Sequence, residues 1–459
     1  MTDSFSSTVI KMCSKSGFGQ VIHRNKSFLV KGCYPQEEIE YTLSKNKKNL
    51  ENINITKPIS NRIESSCSHY DYCGGCPLLT LDITSQLEFK QSVIQKLFSE
   101  DIEKIDPIQI NPAPYHYRNK VELTFSQNLE GDKKLGFHRF GSRGFAFDLS
   151  ECRLIPSWMI EAKKFVFELF VKYNYEAFYL PKLQGNLKNL ILRSNKHCDE
   201  LLIALVVQDK TQLQDDFIAE FSSGLIKIFS DKKKVVCYLV EQQQKKGIPT
   251  KLSVTPLTED KFISEPMIFN IENKTIQLTF QINPLSFFQP NFYTAQIIYQ
   301  KAVEFLNLTP EDVVIDLYCG SGTFGMLASN FAKKVIGIEV HPLAVEDGRK
   351  LLIENKIVNM EFLLGDAKSK IQDVLEEKPN KIILDPPRAG LDPDVILTLK
   401  QINPEIIVYI SCNPITQKRD VDELKKIGFN VEKILPVDQF THTPHIENIC
   451  VLKRPTCFM

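Results

Sequence analysis

The chain contains 459 residues, which is long enough for two or three domains and at least one large hydrophobic core. Its 43% hydrophobic and 24% charged residues are ordinary for a globular protein. Acidic and basic side chains number 56 each, so the formal net charge is zero. This balance excludes the overall electrostatic field as the main source of affinity for nucleic acid, and any RNA contact must come from local basic patches.

The start of the chain, Met1-Thr-Asp-Ser-Phe-Ser-Ser, lacks the basic residues and apolar core of a signal peptide. No window approaches the roughly 18 continuous apolar residues of a membrane span. We therefore expect a cytoplasmic protein with no membrane association and no obligate protein partner. Twelve cysteines in such a chain favour thiol chemistry or metal binding over a disulfide framework.

Residues 9 to about 57 read as short strands with glycine turns, which is typical of a small β-barrel such as the five-stranded OB type. A polar Lys/Asn run near its end takes the place of an expected strand and carries Lys45, Lys47 and Lys48. Two interpretations stay open here. The segment is either an RNA-binding barrel or a β-domain with solvated lysines.

Three cysteines, Cys67, Cys73 and Cys76, follow within ten residues, and the Gly-Gly pair before the last allows tight backbone turns. Cys152 is the nearest later candidate for a fourth ligand, with His69 as an alternative. Four thiolates suit an iron–sulfur cluster or structural zinc. The Cys-Pro ending favours iron–sulfur ligation, and four unrelated buried thiols are the remaining interpretation.

The cysteine loop leads into a helix predicted from Leu78 to Phe98, because apolar residues recur there at helical spacing. Beyond it, aromatic residues alternate with cations in a pattern that suits base stacking and phosphate contact, or else a sheet with mixed surface charge. These cations are Arg118, Lys120, Arg139 and Arg143. A helix over 157–175 and several strands then indicate an α+β region to about residue 280.

From residue 281 onward strands and helices alternate to the end of the chain, the doubly wound pattern. Two apolar runs, Lys381-Ile-Ile-Leu-Asp-Pro-Pro-Arg and Val408-Tyr-Ile-Ser-Cys-Asn-Pro, stop abruptly at polar residues and prolines. In an open α/β sheet, ligands bind at the carboxyl ends of the strands. The two runs therefore direct Asp385 and Cys412 to a common crevice.

Another strand ends in Gly320-Ser-Gly-Thr-Phe-Gly, which formally matches a dinucleotide loop. Glu339, about 20 residues further on, can bind both ribose hydroxyls. Asp316 lies at the end of the strand that leads into this loop. Its carboxylate would repel a pyrophosphate but suits the ammonium of S-adenosylmethionine. Asp366 is placed either to accept a hydrogen bond from the adenine amino group or to cap a helix.

Cys412 is the candidate nucleophile, since a cysteine at a strand end beside a cofactor sulfonium can be exposed and partly thiolate. Glu447 lies downstream in a predicted loop with two histidines. Taken alone, Cys412 could equally be an inert buried thiol, and Glu447 a solvated charge in a loop.

Five motifs together resemble the RNA uracil-5-methyltransferase family, over nearly the whole chain. They are Phe287-Phe-Gln-Pro-Asn, Asp316-Leu-Tyr-Cys-Gly-Ser-Gly-Thr-Phe, Asp385-Pro-Pro-Arg, Ser411-Cys-Asn-Pro and His445-Ile-Glu-Asn. The resemblance implies that S-adenosylmethionine is bound by Gln289, Tyr318, Glu339 and Asp385. It implies that Cys412 is the nucleophile and Glu447 the base. It further implies a [4Fe-4S] cluster held by Cys67, Cys73, Cys76 and Cys152.

The implied architecture is multidomain α/β. A TRAM-like OB barrel for RNA binding would span 1–62, a central α+β domain with the iron–sulfur loop 63–280, and a Rossmann-like methyltransferase domain 281–459. The implied reaction is methylation of uridine C5 through a cysteine adduct at C6. Relatives that act on transfer RNA typically lack the barrel and the cysteine cluster, which favours 23S ribosomal RNA as the substrate here. A transfer RNA substrate, an iron–sulfur dinucleotide oxidoreductase and a non-catalytic RNA-binding protein are the alternatives.

Overall fold

The computed structural model describes residues 4–46, 48–128, 130–142 and 145–455. Lys47 and Arg143, two of the predicted RNA-contacting cations, lie outside these residues. None of the helices in the described ranges is long and apolar enough to cross a lipid bilayer.

The amino-terminal strands form two three-stranded antiparallel sheets, ordered β1-β5-β6 and β2-β3-β4. The strands are β1 Phe5–Thr8, β2 Lys11–Met12, β3 Gly19–His23, β4 Lys26–Val30, β5 Glu38–Leu43 and β6 Leu50–Lys57. Both sheets contribute to one small apolar core, built from Val9, Val21, Val30, Cys33, Ile39 and Tyr41. The prediction of a short barrel with the last strand missing was wrong, because the Asn-rich stretch after the lysines pairs with β5 as β6. Closure of the two sheets into an OB barrel stays a prediction.

The central region contains a six-stranded sheet, ordered β12-β11-β10-β9-β7-β8. Its strands are β7 Lys120–Gln127, β8 Lys133–Gly136, β9 Leu187–Ser194, β10 Glu200–Val207, β11 Lys234–Lys245 and β12 Ile248–Pro256. A hairpin of β13 Ile263–Ile271 and β14 Lys274–Ile282 follows. The helices are α1 Ile83–Leu97, α2 Ser157–Lys172 and α3 Asp215–Ile228.

Helix α1 begins later than predicted because Asp82 caps it, its side chain accepting the Ser85 N–H at 2.7 Å. The residues before it, from Leu78 onward, form the end of the cysteine loop instead.

The carboxyl-terminal region is a seven-stranded sheet, ordered β17-β16-β15-β18-β19-β21-β20. Its strands are β15 Val313–Leu317, β16 Lys334–Glu339, β17 Met360–Leu364, β18 Lys381–Leu384, β19 Ile406–Ser411, β20 Asn430–Val437 and β21 Glu447–Lys453. Its helices are α4 Phe292–Leu306, α5 Thr323–Ala328, α6 Pro342–Glu354, α7 Ala367–Lys370, α8 Pro393–Ile402 and α9 Pro414–Lys426.

The first five strands of this sheet are parallel, as the doubly wound pattern predicts. The last connection differs from the predicted alternation, because loop 438–446 joins β20 to β21. Strand β21 inserts antiparallel between β19 and β20. An antiparallel strand begins at the edge where its parallel neighbours end, so the start of β21 joins the carboxyl ends of β18 and β19.

The largest hydrophobic cluster crosses the predicted domain boundary at residue 280. It includes Leu202 and Tyr238 of the central sheet, Phe269 of the hairpin, and Val314 and Val408 of the seven-stranded sheet. These two sheets therefore share one core. The boundaries of the three predicted domains stay a prediction.

Candidate active site

One edge of the seven-stranded sheet gathers the predicted catalytic and cofactor residues. Asp316, Glu339, Asp385 and Cys412 lie at or just after the carboxyl ends of β15, β16, β18 and β19. Glu447 was predicted in a loop, but it is the first residue of β21, one position before the pair formed by Asn448 and Ser411. The two predicted reacting residues therefore lie on hydrogen-bonded neighbouring strands.

Asp316 is fully buried beneath the glycine loop. Its Oδ2 accepts the Gly325 N–H at 2.9 Å, while its Oδ1 is buried without a hydrogen-bond partner. Burial, and to a smaller extent Asp385 and Glu339, raise the pKa of Asp316 to about 8. A cationic group placed at Oδ1 would satisfy this oxygen and restore ionisation, as the predicted ammonium contact requires.

Glu339 accepts two backbone hydrogen bonds at the same edge. Gly320 N–H donates to one carboxylate oxygen at 3.0 Å and His341 N–H to the other at 2.8 Å. These contacts hold the carboxylate against the glycine loop. Each oxygen keeps a second lone pair with which it can accept from a ribose hydroxyl.

Tyr318 and Asp366 border the glycine loop on its outer side. Tyr318 is half-buried and adopts a left-handed backbone conformation (φ 61°), and burial together with Asp366 raises the pKa of its phenol to about 12. Asp366 is exposed and caps α7, its side chain accepting the Lys368 N–H at 2.9 Å. Helix capping was the alternative interpretation of Asp366. Its contact with adenine stays a prediction.

Gln289 is buried and connects the Phe287-Phe-Gln-Pro-Asn motif to the loop after β20. Its Oε1 accepts from Gln439 Nε2 at 2.6 Å, and Gln439 Oε1 in turn accepts from the Thr294 hydroxyl at 2.7 Å. Gln439 therefore fixes the orientation of the Gln289 amide, whose N–H groups are left to donate to a ligand.

The Cys412 thiol is half-buried, and its predicted partial ionisation beside a cofactor sulfonium stays a prediction. Burial and the nearby carboxyls of Glu447 and Asp385 raise its pKa, and Arg388 offsets this only in part. Sequence could not show this, because the two carboxyls reach the thiol through strand order. Cys412 therefore needs a further positive charge nearby before its thiolate forms readily.

Glu447 is 3% exposed, and its pKa is raised well above the usual range by burial and by the adjacent Asp385 carboxyl. Burial raises the pKa of Asp385 itself to about 7. In the free protein, burial therefore favours the neutral forms of Glu447 and Asp385. Introduction of a cationic ligand would favour their ionised forms.

The four predicted metal-ligand cysteines converge from two segments. Cys67, Cys73 and Cys76 lie in the loop before α1, and Cys152 lies before α2. Burial raises the pKa of Cys76, and the neighbouring thiols of Cys152, Cys73 and Cys67 raise it further. The Cys73 sulfur accepts the Gly75 N–H at 3.4 Å. Across the described ranges, however, no three His, Cys, Asp or Glu side chains are arranged to hold a metal ion.

His69, the alternative ligand, is engaged in protein hydrogen bonds through both ring nitrogens. Its Nδ1 lies 2.6 Å from the Tyr72 hydroxyl, and its Nε2 accepts from Ser150 N–H at 3.1 Å. His69 therefore joins the cysteine loop to the segment that carries Cys152. These bonds leave neither nitrogen directed at the thiols.

Comparisons with known proteins identify the family. The tRNA (Uracil-5-)-methyltransferase family model matches residues 251–455. An uncharacterized RNA methyltransferase from Protochlamydia amoebophila is 35% identical over 414 residues, which covers 87% of this chain and 93% of the relative. Another from Clostridium acetobutylicum is 33% identical over 445 residues, covering 95% and 94%. The chain belongs to the RNA uracil-5-methyltransferase family.

The fold of this chain also resembles that of a solved methyltransferase structure. The crystal structure of the Pyrococcus abyssi tRNA (uracil-54, C5)-methyltransferase in complex with S-adenosyl-L-homocysteine matches with a TM-score of 0.74 at 24% identity. The match covers 98% of this chain and 100% of the other. As a uracil-5-methyltransferase, the protein is an S-adenosylmethionine-dependent enzyme that acts on RNA. The dinucleotide oxidoreductase and the non-catalytic RNA-binding protein are therefore not supported.

In this uracil-5-methyltransferase, Cys412 opens into a cavity of about 290 Å³ whose lining includes Arg388, His445 and, from the amino-terminal region, Lys15. A second hollow of about 210 Å³ shares Lys15 and His445 and extends to Gly75 of the cysteine loop. Sequence reasoning missed Lys15, because a lone lysine in a turn carries no signal for a site so far along the chain.

The cations predicted to contact RNA have varied surroundings. Lys45 and Lys48 are exposed, and Arg139 lies over the Tyr72 ring at 5.3 Å. Lys120 is half-buried, and burial lowers its pKa, an effect that the buried Arg193 guanidinium adds to. Arg118 is bridged through its backbone to Asn291, at the start of α4.

Proposed function

We propose that the protein methylates C5 of a uridine in RNA through a covalent bond between Cys412 and uracil C6. The observation that carries this proposal is the pairing of β19 with β21, which sets Cys412 and Glu447 on adjacent strands at one crevice. A nucleophile and a base close together at one crevice are what the reaction needs.

Uracil C5 is too weak a nucleophile to accept a methyl group unaided. Addition of the Cys412 thiolate to C6 moves the ring electrons into an enolate and makes C5 nucleophilic. S-adenosylmethionine, when bound, would supply the electrophilic methyl group: its S–CH3 bond breaks as the C5–CH3 bond forms, and S-adenosylhomocysteine is the leaving group. The Glu447 carboxylate then takes the C5 proton, the S–C6 bond breaks, and the C5=C6 double bond is restored. The uridine has to leave its base stack to reach the crevice.

The cofactor pocket comprises residues whose charge and orientation fit S-adenosylmethionine. The unpartnered Asp316 oxygen suits the ammonium, Glu339 suits the ribose hydroxyls, and the oriented Gln289 amide is free to donate. Tyr318, Asp366 and Asp385 complete the set. The sulfonium charge would also favour the ionised forms of Cys412 and Glu447, whose pKa values are raised in the free protein.

We further propose that Cys67, Cys73, Cys76 and Cys152 hold a [4Fe-4S] cluster. Burial raises the pKa of Cys76 and Cys152, and neighbouring thiols raise both further, so the thiols lie within electrostatic range of one another. A [4Fe-4S] cluster binds four thiolates, each on a different iron. Lys31, which donates to the Cys73 carbonyl at 2.6 Å, would offset part of the negative charge. The covalent steps above use no electron transfer.

Large-subunit (23S) ribosomal RNA is the proposed substrate, bound in part by the amino-terminal sheets as a TRAM-like module over residues 1–62. The cysteine-loop domain would span 63–280 and the methyltransferase domain 281–459. Exposed Lys45 and Lys48, and Lys15 at the cavity, support RNA contact by the amino-terminal region.

Transfer RNA is the second candidate, and one observation favours it. The Pyrococcus abyssi enzyme acts on uracil 54 of transfer RNA, yet its fold matches this chain over 98% of its length, including the amino-terminal region. The presence of an amino-terminal β-region therefore does not by itself select ribosomal RNA.

Mass spectrometric mapping of 5-methyluridine in ribosomal and transfer RNA tests the substrate directly. RNA from cells with the gene intact is compared with RNA from cells in which it is deleted. We expect one 5-methyluridine in large-subunit ribosomal RNA to disappear on deletion and to return with the wild-type gene but not with Cys412→Ala. Loss of a transfer RNA methyluridine instead would select the second candidate, and no lost methyluridine would contradict the proposed function.

A further inference from the structure

The loop 438–446, here called the base loop, ends directly before Glu447 and determines where that carboxyl begins its strand. It is an unusually polar interior segment. Its buried polar residues are Asp438, Gln439, Thr441, His442 and Thr443. Hydrogen bonds and ion pairs of its polar groups hold such a buried loop in one conformation.

A buried ion pair fixes the first part of the base loop. Lys90 of α1 donates to the Asp438 carboxylate, and the two side chains are 0% and 3% exposed. Lys90 also donates to the Phe440 carbonyl at 3.0 Å, and the Thr441 hydroxyl donates to the second Asp438 oxygen at 2.7 Å. One lysine therefore connects two successive turns of the loop to α1.

A backbone outlier marks the middle of the base loop. His442 is fully buried in a left-handed conformation (φ 68°), which a residue with a Cβ adopts only when its surroundings hold it there. Gln86 of α1 accepts the His442 N–H at 2.9 Å, and its own amide nitrogen lies 3.2 Å from His442 Nδ1. The Tyr115 ring stacks on the imidazole with centroids 4.8 Å apart.

These contacts come from the central region, whereas the residue they position belongs to the methyltransferase sheet. The cysteine loop takes part as well, because Leu78, two residues after Cys76, donates its N–H to the His442 carbonyl at 3.0 Å. On its other side the base loop contacts the cofactor residue Gln289 through Gln439.

We propose that Lys90 and Gln86 are positioning residues, which hold the base loop so that Glu447 reaches the C5 proton of the covalently bound uracil. This inference rests on the proposed covalent mechanism. Proton transfer depends steeply on the distance and alignment of the base, whereas adduct formation depends on Cys412. Loosening the loop should therefore slow release of the RNA more than its capture.

The test compares Lys90→Met and Gln86→Leu with wild type, using the RNA segment that contains the mapped uridine and S-adenosylmethionine. We expect kcat to fall at least about tenfold and the apparent RNA KM to fall with it, because the slowed step follows adduct formation, while the cofactor Kd is nearly unchanged. A methylated protein–RNA adduct should accumulate on denaturing gels. Gln86→Leu carries the test without leaving a buried charge unpaired, should Lys90→Met fold poorly.

Lys425→Met is the matched control. Lys425 pairs with Asp101 at 2.5 Å and likewise connects the methyltransferase region to the segment after α1, but it does not touch the base loop. It should not accumulate adduct. If the Lys90 and Gln86 variants lose activity only in proportion to their folded fraction, without adduct, the inference is overturned. If Glu447→Gln also forms no adduct, the covalent mechanism fails together with it.

Discussion

The catalytic crevice and the cysteine loop share one electrostatic feature, although the crevice contains mainly carboxyls and the loop contains thiols. In both, burial raises the pKa of acidic side chains and neighbouring acids raise it further. In the crevice these are Asp316, Cys412 and Glu447, and in the loop they are Cys67, Cys76 and Cys152. In each region a positively charged ligand would therefore favour the ionised forms of these side chains.

The two regions differ in how the acids are brought together. Three of the four thiols lie within ten residues, so short-range turns gather most of that set. Asp316, Cys412 and Glu447 come from three strands of one sheet, β15, β19 and β21, and the correct strand order must form before any of them meet. The loop is thus a local assembly and the crevice a product of the whole fold. Substitutions in the crevice should change chemistry, and substitutions in the loop should change stability.

The largest expected effect is on the nucleophile. Cys412→Ala should lower the methylation rate by at least about 10³-fold, because no other group can activate C5. Cofactor binding should persist, since the alanine leaves the carboxyls of the pocket in place. Tritium transfer from labelled S-adenosylmethionine to RNA measures the rate. Cys198→Ala, which removes a thiol of the central region, is the control and should remain active.

The next effect concerns the base. Glu447→Gln should slow turnover by roughly 10²- to 10⁴-fold, the usual contribution of a positioned base, and leave the RNA covalently attached. The amide has nearly the shape of the carboxyl but cannot take the C5 proton. A band of protein–RNA adduct that survives denaturation and is absent from Cys412→Ala is the measurement. Normal release by Glu447→Gln would remove the base assignment.

In the cysteine loop we expect a stability effect instead. Cys76→Ala should abolish iron and acid-labile sulfide in protein purified without oxygen and lower the unfolding midpoint by on the order of 10 °C. Affinity for S-adenosylmethionine should be nearly unchanged, because no crevice carboxyl contacts the loop thiols. Cys237→Ala, another buried thiol of the central region, is the control for iron content. Iron retained by Cys76→Ala would contradict the ligand set, and zinc in place of iron would contradict the cluster.

The sequence predicted the local parts of both regions and missed the long-range ones. Abrupt strand ends placed Asp385 and Cys412 at the carboxyl ends of β18 and β19, as the structure has them, whereas the ligand role of the cysteines stays a prediction. The insertion of β21 between β19 and β20 has no local signature, so Glu447 read as a loop residue. For the same reason the raised pKa of the Cys412 thiol could not be predicted, because it depends on burial and on two carboxyls from neighbouring strands.

The remaining errors have the same origin. Asparagine is depleted in strands, so Leu50–Lys57 did not read as a strand, and only its pairing with β5 makes it one. Lys90 and Asp438 are 348 residues apart, and neither stands out within its own segment. Both the strand β6 and the Lys90–Asp438 ion pair depend on contacts between distant parts of the chain.

The smallest expected effect is the pH dependence of cofactor binding, which measures the proton content of the crevice. Asp316 has a pKa of about 8 in the free protein, against about 3.9 for an unfolded chain. The folded protein therefore binds more protons between these values, and the stability contributed by Asp316 falls as pH rises through that window. A bound ammonium reverses this preference by favouring the ionised carboxylate.

Affinity for S-adenosylmethionine should accordingly rise about twentyfold from pH 6.0 to 7.5 through Asp316 alone, because the ionised fraction of a group with pKa 8 rises by that factor. The α-amino group of the ligand is still mostly protonated over this range. Calorimetry in buffers of different ionisation enthalpy should show proton release on binding. Asp316→Asn keeps an acceptor for Gly325 N–H and should bind more weakly, with most of the pH dependence removed. If the affinity of the wild type does not change with pH, Asp316 is already ionised in the free crevice. The shared principle of raised pKa values in the crevice and the cysteine loop would then fail at Asp316, the most deeply buried carboxyl of the crevice.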